Sequence, residues 1–325
     1  MVSKPLRLGL LSTAKINEQV LTGKPPDVEI VAVGSRDEAR AQAYAQEHGI
    51  ARTHGSYEAL LADPGVDAVY ISLPNALHHE WTMSALAAGK HVLCEKAYSR
   101  HPAEVVEAWD AAAAGGLVVA EARMYRHHPQ IARARELVAS GAVGAPRVLR
   151  GNFSFQMVNP GDHRHVPELD GGALMDLGCY CVSTSRLFGG EPEHAIGERV
   201  LRPSGVDADF HATLRFPNDV VGRFDVSFAL PSRQRFEVVG EEATLVLNAP
   251  WRPDWGFALT LERGEDVENV PVAQANSYTL ELEDFAAAAR GEREPLLGRD
   301  DALGQARTLA ALIESAETGA AVELT

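Results

Sequence analysis

One residue suited to chemistry is a lysine that closes a predicted strand. Lys96 follows Glu95 and the apolar run 91–94, and Gly89 stands just before that run. Because the run is too short for a helix, it predicts a buried parallel strand whose carboxyl end lies at the ligand-binding edge of an open α/β sheet. The Lys96 ammonium could stabilise an anion there. A surface lysine without such a role is the alternative.

Tyr180 is the candidate proton donor. It lies four residues after Asp176 in a predicted helix that begins near Gly171 and Gly172, so the two polar side chains share one helix face. A tyrosine can protonate a carbonyl when a nearby ammonium stabilises its phenolate, and Lys96 could supply that ammonium. A buried tyrosine with a satisfied hydroxyl is the alternative, and sequence alone does not bring Tyr180 and Lys96 together.

The turn after the first predicted strand lies where dinucleotide-binding proteins carry the pattern G-x-G-x-x-G. This chain has no glycine there, but the small residues Ser12 and Ala14 permit close approach, and the hydroxyl of Ser12 or Thr13 could donate to a phosphate. An ordinary strand-turn-helix connection explains the stretch about as well. The candidate phosphate-binding residues are Ser12, Thr13, Ala14, Lys15 and Ile16.

The end of the second predicted strand favours NADP over NAD. An acidic residue is usual there in NAD sites because it binds the ribose hydroxyls, whereas small and basic residues are usual in NADP sites. This sequence has Ser35 and Arg36, with Arg40 one helical turn later. A guanidinium can pair with the 2′-phosphate and stack on adenine. A solvated helix face is the alternative.

Two kinds of domain are expected to position these residues. In residues 1–124, short apolar strands alternate with helical segments, which predicts βαβ units and a doubly wound parallel sheet. Residues 125–325 are predicted to form an α/β domain with a large, mostly antiparallel open sheet, in which Pro217-Asn218-Asp219 forms a hairpin turn. An open face would expose apolar side chains, which predicts a homodimer or higher homo-oligomer through this sheet.

Composition narrows the classes of partner. The 325 residues carry a formal net charge of -15, which argues against nucleic acid because that partner requires concentrated Lys and Arg. The three cysteines are too few for a disulfide framework, and we recognise neither a leader peptide nor a membrane-spanning apolar run. We therefore expect a cytoplasmic protein without a membrane partner.

Five motifs, taken in order, resemble those of the Gfo/Idh/MocA oxidoreductase family, and within it the branch that contains dimeric dihydrodiol dehydrogenase and NADP-dependent xylose dehydrogenases. The resemblance covers essentially the whole chain, and the five motifs together are far more specific than any one alone. They are L-L-S-T-A-K-I-N (10–17), I-S-L-P-N-A-L-H-H-E-W (71–81), A-G-K-H-V-L-C-E-K (88–96), E-A-R-M-Y-R-H-H-P-Q (121–130) and G-G-A-L-M-D-L-G-C-Y (171–180).

The resemblance implies a Rossmann domain, an α/β domain whose open sheet commonly mediates dimerisation, and hydride transfer between a nicotinamide cofactor and a sugar, polyol or related hydroxyl compound. Lys96 matches the family lysine that binds the nicotinamide ribose and assists the acid/base. Tyr180 matches the acid/base position, and Asp176 matches the aspartate of the same motif. Asn75 and His78 match a loop beside the cofactor.

Further residues are assigned to the site by their place in these motifs. Leu73, Glu95 and Arg123 join the cofactor set. Arg123, Tyr125, His128 and the loop Asp162-His163-Arg164-His165 are candidates for hydrogen bonds to a polyhydroxylated substrate, although loop polarity explains the loop residues nearly as well. No histidine or cysteine spacing matches a zinc pattern, so no metal is predicted.

One departure from the family pattern follows Lys96. Ala97 stands where family members usually carry proline, often after a cis peptide bond. Because a cis bond before a residue other than proline costs ~3 kcal/mol, we expect a trans Lys96–Ala97 bond.

The sequence therefore predicts an NADP(H)-preferring oxidoreductase in which Tyr180 is the acid/base and Lys96 assists it. An NAD-linked inositol or deoxysugar reductase of the same family is one alternative. A non-catalytic, dinucleotide-sensing regulator is another, although the presence of both Lys96 and Tyr180 counts against it.

Overall fold

The computed structural model describes residues 4–324 and divides into two compact units. The first unit comprises the chain up to Met124 together with Asn276–Leu303, and the second comprises Tyr125–Ala275 and the chain from Gly304 onward. Residues 276–303, which the sequence predicts to be part of the second domain, group here with the first unit. The segment belongs to the first unit because its helix packs on the first helix of the chain, where Gly23 leaves room for its backbone.

A parallel sheet forms the centre of the first unit. In the described part of the chain it has six strands in the order β3-β2-β1-β4-β5-β6, the doubly wound arrangement that the alternating pattern predicted. The order reverses between β1 and β4, and such a reversal opens a crevice at the carboxyl ends of the strands. The strands are β1 (Leu6–Leu11), β2 (Val28–Gly34), β3 (Arg52–His54), β4 (Ala68–Ile71), β5 (His91–Glu95) and β6 (Val119–Ala122).

Helices cover both faces of this sheet, so its strands are nearly continuous apolar runs. Local signals set several helix ends: Asp37 and Ser56 each accept a hydrogen bond as N-caps, and Gly116 ends a helix in the left-handed conformation. The helices are α1 (Asn17–Gly23), α2 (Glu38–His48), α3 (Tyr57–Leu61), α4 (His78–Ala87), α5 (Pro102–Gly115) and, from the later segment, α8 (Ser277–Ala289).

The second unit is built on a large open sheet. Within residues 4–324 it has nine strands in the order β14-β13-β12-β11-β7-β10-β9-β8-β15, and all neighbours are antiparallel except the parallel pair β7 and β10. The strands are β7 (Pro146–Ser154), β8 (His194–Leu201), β9 (Asp207–Arg215), β10 (Val221–Ser227), β11 (Arg233–Gly240), β12 (Thr244–Asn248), β13 (Ala258–Arg263), β14 (Asp266–Asn269) and β15 (Val322–Glu323).

One face of this sheet is covered by helices. They are α6 (Pro129–Ala139), α7 (Cys179–Gly189) and α9 (Arg299–Thr318), of which α9 begins in the first unit. The predicted hairpin between β9 and β10 is confirmed: Asn218 and Asp219 have φ angles of 60° and 59°, a left-handed pair that joins two antiparallel strands.

The opposite face of the sheet, where the sequence predicts exposed apolar side chains, carries charged side chains beside apolar ones. A shallow cavity of about 550 Å³ there is lined by alternating basic and acidic side chains, among them Arg150, Glu198, Arg223, Asp225, Arg233 and Glu237. The period-2 alternation of the strands places their apolar residues, such as Phe236 and Val238, under the helices instead. Large apolar side chains exposed on the strands of this sheet include Ile196 and Val200 of β8, each about half exposed, and Val267 of β14.

The Lys96–Ala97 peptide bond is cis, so the expected trans bond was wrong. The backbone groups that follow this bond have hydrogen-bond partners in the first unit. The Ala97 carbonyl oxygen lies 2.9 Å from Nδ1 of His78, and the Tyr98 N–H donates to Oε1 of Glu121 at 3.1 Å.

No helix within residues 4–324 is long and apolar enough to cross a membrane.

Candidate active site

The carboxyl ends of the parallel strands bring most predicted cofactor residues of the first unit to one edge. Leu11 at the end of β1 pairs with Gly34 of β2 and Ile71 of β4. Cys94 pairs with Ile71, and Glu95 pairs with Ala122 of β6. The segments that follow these strands therefore lie side by side, and they carry Ser12–Ile16, Ser35 and Arg36, Leu73 and Asn75, Lys96, and Arg123.

The turn after β1 is shaped by its own hydroxyl groups. The Ser12 Oγ lies 2.7 Å from the Ser72 Oγ, and Ser72 in turn donates to Oδ1 of Asn17 at 2.6 Å. The Asn17 side chain closes the ring by donating to the Ser12 carbonyl at 2.8 Å, and Ser12 Oγ accepts the Ala14 N–H at 3.0 Å. Ser12 thus organises the turn rather than presenting its hydroxyl outward.

The same turn leaves backbone donors for an anion. Among the described residues, no acceptor is bonded to the backbone N–H groups of Thr13, Lys15 or Ile16. Successive backbone N–H groups before a helix can hold phosphate oxygens without a glycine pattern, provided the side chains allow approach. These donors fit the diphosphate of a dinucleotide.

The end of β2 presents two guanidinium groups. Arg36 and Arg40 are exposed, and Arg36 interacts with the hydroxyl of Tyr57. Burial raises the pKa of Tyr57, although the positive charge of Arg36 acts to lower it. The nearest acidic side chain, Asp37, caps α2 by accepting the Arg40 N–H at 3.1 Å. The buried Ser35 hydroxyl accepts the Asp37 N–H at 3.2 Å. Basic charge beside a small residue fits a 2′-phosphate better than free ribose hydroxyls.

His78 joins two of the edge loops. Its ring is fully buried, with Nδ1 2.9 Å from the Ala97 carbonyl oxygen and Nε2 2.8 Å from the Leu73 carbonyl oxygen. Burial lowers the pKa of His78, although both carbonyl contacts oppose that shift. His78 therefore sets the position of the loop after β4 relative to the turn that follows Lys96.

Glu95 and Lys96 form the end of β5. Oε2 of Glu95 accepts the Lys96 N–H at 3.2 Å, and Oε1 accepts the hydroxyl of the buried Tyr70. Burial, reinforced by Glu95, raises the pKa of Tyr70. Glu281 of α8 lies beside this group, and burial also raises its pKa. The Glu95 carboxylate is thereby directed into the unit.

Arg123 is engaged in buried ion pairs. Its guanidinium is 1% exposed, pairs with Glu121 and lies 2.6 Å from Oδ2 of Asp301. Two carboxylates thus compensate one positive charge in the first unit. Arg123 was predicted to bind cofactor and substrate, and these ion pairs give it a structural role at the edge.

In the second unit, Tyr180 lies in an aromatic environment at the start of α7. A π-helical turn, Leu174–Gly178, leads into that helix and carries Asp176. The Tyr180 ring is 7% exposed, with ring centres 5.6 Å from Phe153 and 6.3 Å from Trp251. Sequence reasoning missed both aromatic residues, since neither belongs to a recognised motif.

A buried hydroxyl links Tyr180 to its neighbours. Oγ1 of Thr184 lies 2.8 Å from the Tyr180 carbonyl oxygen and accepts the indole N–H of Trp251 at 2.8 Å. It also lies 3.0 Å from the hydroxyl of Tyr125, whose ring centre is 5.7 Å from that of Tyr180. Tyr125 itself donates to Ser183 at 2.8 Å, so it supports Tyr180 from within the unit.

The start of the site helix is fixed by Asp207. Its Oδ2 accepts the Leu174 N–H at 2.6 Å. Gly172 has a φ of 113°, and a Cβ there would lie 2.0 Å from Oδ1 of Asp207, so this approach requires glycine. The second glycine of the G-G pair in the sequence motif is therefore required for steric reasons.

Arg164 connects a surface loop to the same helix turn. Its Nε lies 2.9 Å from Oδ2 of Asp176, and its Nη1 donates to Oδ1 of Asp162 at 3.2 Å. Asp176 is the main cause of the raised pKa of Arg164. The predicted residue His163 is exposed next to them, with Nδ1 3.4 Å from Oδ1 of Asp162. Within the predicted loop 162–165, Arg164 rather than His163 forms the ion pair with Asp176.

His128 lies in the interior. It caps α6 by accepting the Gln130 N–H at 3.1 Å, its ring packs on Phe257, and burial lowers its pKa to about 4. This environment gives His128 a structural role. Within residues 4–324 no group of three or more His, Cys, Asp or Glu side chains is arranged to hold a metal ion.

Sequence comparison identifies the class of protein. Residues 10–122 match the family described as an oxidoreductase family with an NAD-binding Rossmann fold, and residues 131–246 match the GFO/IDH/MocA C-terminal domain. The chain belongs to the Gfo/Idh/MocA family of oxidoreductases.

Proteins similar to this chain are named as sugar and diol dehydrogenases and as a ketoreductase. The chain is 39% identical over 325 residues to D-xylose 1-dehydrogenase (NADP(+)) 2 of Haloferax volcanii, covering 98% of this chain and 100% of that protein. It is 36% identical over 262 residues to human trans-1,2-dihydrobenzene-1,2-diol dehydrogenase, covering 76% of each. Among solved structures, KijD10, a 3-ketoreductase from Actinomadura kijaniata in complex with NADP and TDP-benzene, superposes with a TM-score of 0.90 at 28% identity, covering 96% of this chain and 98% of that one.

Proposed function

We propose that this protein is an NADP(H)-preferring dehydrogenase that transfers a hydride between nicotinamide and a hydroxyl or carbonyl group of a sugar, polyol or diol. The relatives supply the substrate class, since their names include a xylose dehydrogenase and a dihydrodiol dehydrogenase. The cofactor assignment rests on the two exposed guanidinium groups after β2, those of Arg36 and Arg40. The acidic residue between them, Asp37, accepts a backbone hydrogen bond as the N-cap of α2.

The residues divide the work as follows. A bound nicotinamide cofactor would supply the hydride-transfer chemistry. The N–H groups of the turn after β1 hold the diphosphate, Arg36 and Arg40 take the 2′-phosphate, and Lys96 binds the nicotinamide ribose. Tyr180 takes the proton of the substrate hydroxyl during oxidation and returns it during reduction. Lys96 assists by stabilising the phenolate.

Asp176 orients the substrate rather than exchanging protons. Its carboxylate is paired with Arg164 at 2.9 Å, and a guanidinium partner stabilises the charged form of a carboxylate. Tyr180, by contrast, carries a hydroxyl that can both donate and accept.

A homodimer through the open sheet of the second unit is part of this proposal. The face carries both signs of charge in alternation, with the exposed Ile196 and Val200 at one side, and such a surface can complement a second copy of itself. Light scattering on the purified chain tests it, and a monomer at micromolar concentration would contradict it.

The function is tested by turnover. Purified protein is mixed with NADP+ or NAD+ and a panel of aldoses, polyols and diols, and NADPH or NADH formation is followed by absorbance. We expect turnover of at least one sugar or diol, with higher kcat/KM for NADP+. Higher kcat/KM with NAD+ would favour an NAD-linked inositol or deoxysugar reductase. Cofactor binding without turnover of any compound, in either direction, would favour a non-catalytic regulator.

A further inference from the structure

Three charged residues of the second unit, Asp162, Arg164 and Asp176, form an ion cluster. The Arg164 guanidinium lies between two carboxylates, with Nε 2.9 Å from Oδ2 of Asp176 and Nη1 3.2 Å and 3.4 Å from the two oxygens of Asp162. The side chains of Arg164, Asp162 and Asp176 are 33%, 24% and 13% exposed, so the cluster is partly accessible to solvent. Its formal charge is negative by one.

The backbone holds the cluster in place. The Gly172 N–H donates to the Arg164 carbonyl at 3.0 Å, and the Asp162 side chain accepts the Arg164 N–H at 3.0 Å. A Cβ at Gly171 would lie 2.4 Å from the Arg164 carbonyl oxygen, so this close approach also depends on glycine. Arg164 is therefore positioned from both its main chain and its side chain.

Such a cluster binds hydroxyl groups better than anions. A carboxylate oxygen accepts from one hydroxyl while an adjacent guanidinium N–H donates to the next, which suits two neighbouring hydroxyls of a sugar. A phosphate or carboxylate ligand would meet a guanidinium whose charge is already compensated and two further negative charges. Like charges in such proximity disfavour binding.

We propose that Asp162, Arg164 and Asp176 form a hydroxyl-binding subsite that selects uncharged vicinal diols, such as free sugars, over phosphorylated or carboxylated ones. This inference rests on the proposed function, because the subsite adjoins the turn that leads to Tyr180. In this subsite, Arg164 and Asp162 determine substrate specificity.

The test compares Asp162→Asn with the matched control Glu168→Gln. Both remove one negative charge from the same loop, but within residues 4–324 Arg164 forms ion pairs with Asp162 and Asp176 and none with the exposed Glu168. For each protein, kcat/KM is measured with NADP+ for D-glucose, D-glucose 6-phosphate and D-glucuronate. Binding of the same three sugars to the NADPH complex is measured by calorimetry.

We expect the kcat/KM of the wild-type protein for D-glucose to exceed that for either anion by about tenfold or more. Unfavourable polar groups in a binding site cause losses of this size. Asp162→Asn should shift that ratio toward the anions by about tenfold, and Glu168→Gln should leave it within about twofold. Equal shifts in the two variants, or a wild-type preference for an anion, would overturn the subsite while leaving the proposed function intact.

Two further results separate the subsite from the function. Selective binding of D-glucose without turnover of any compound would support the subsite and overturn the dehydrogenase assignment. Arg164→Lys keeps the charge but loses the planar fork, so it should raise KM for D-glucose about tenfold with little change in kcat. If Arg164→Lys instead lowered the melting temperature and left KM unchanged, Arg164 would be only a structural link and the subsite would be overturned.

Discussion

Nε of Arg164 lies 2.9 Å from Oδ2 of Asp176, and this pair separates the roles of the polar residues near Tyr180. A carboxylate held by a guanidinium is stabilised in its charged form, so it suits orientation of a substrate more than proton exchange. In the proposed mechanism, the hydroxyl of Tyr180 is then the proton donor of the second unit. The pair also explains why two residues that are distant in sequence belong to one candidate site.

Arg36→Ala is expected to change cofactor preference. A lost charge-assisted hydrogen bond costs about 1.5–3 kcal/mol, so KM for NADP+ should rise roughly 10–100-fold while KM for NAD+ changes little. Arg135→Ala, which removes another exposed arginine from α6, serves as the control. Steady-state kinetics with both cofactors decide the question, and a parallel rise for NADP+ and NAD+ would refute the 2′-phosphate assignment.

Thr184→Val is expected to loosen the surroundings of Tyr180. The change keeps the shape of the side chain but deprives the Trp251 indole of its acceptor, and a buried polar group left unsatisfied costs about 1–3 kcal/mol. We expect a lower melting temperature and a lower kcat. Thr318→Val, at an exposed helix end, should change stability by less than about 0.5 kcal/mol. Thermal melts and kinetics on the two variants check this, and indistinguishable variants would contradict it.

Glu281 should give the stability a distinct pH dependence. Burial raises its pKa, and the neighbouring Glu95 and Asp284 add to the shift. The folded chain therefore binds this proton more tightly than the unfolded chain, where the pKa of glutamate is about 4.3. The stabilising contribution is complete below that value and is lost as the pH rises toward the pKa in the folded chain.

Glu281→Gln removes this titration, so its melting temperature should fall less between about pH 5 and pH 8 than that of the wild-type protein. Glu283→Gln, an exposed position on the same helix, should keep the wild-type slope. Scanning fluorimetry across that range provides the measurement. Identical slopes for all three proteins would mean that Glu281 is already ionised in the folded chain.

The parallel sheet of the first unit was largely predictable, because its strands are buried on both faces and appear as short apolar runs between helices. The edge that collects Ser12, Arg36 and Lys96 follows from that topology alone. Strand β8 was missed because Glu198 and Arg199 interrupt its apolar alternation, and only its pairing with β9 makes it a strand.

Other features depend on contacts between distant residues. The return of α8 to the first unit depends on packing against α1, which no local pattern encodes. Arg164 and Trp251 likewise acquire their places through partners elsewhere in the chain. The cis bond after Lys96 lies beside such partners too, since His78 and Glu121 bind the groups that follow it. Sequence motifs located the candidate site, including His78, but not the contacts that position α8 and Trp251.

The central claim is that Tyr180 is the acid/base of an NADP-dependent dehydrogenase. Tyr180→Phe removes the hydroxyl and keeps the ring that packs near Phe153 and Trp251. With a sugar or diol that the wild-type protein oxidises, the variant should lose about 100-fold or more in kcat, the usual contribution of a general acid or base. Its melting temperature and its Kd for NADPH should be retained. A Tyr180→Phe protein that keeps most of the wild-type kcat would contradict the claim.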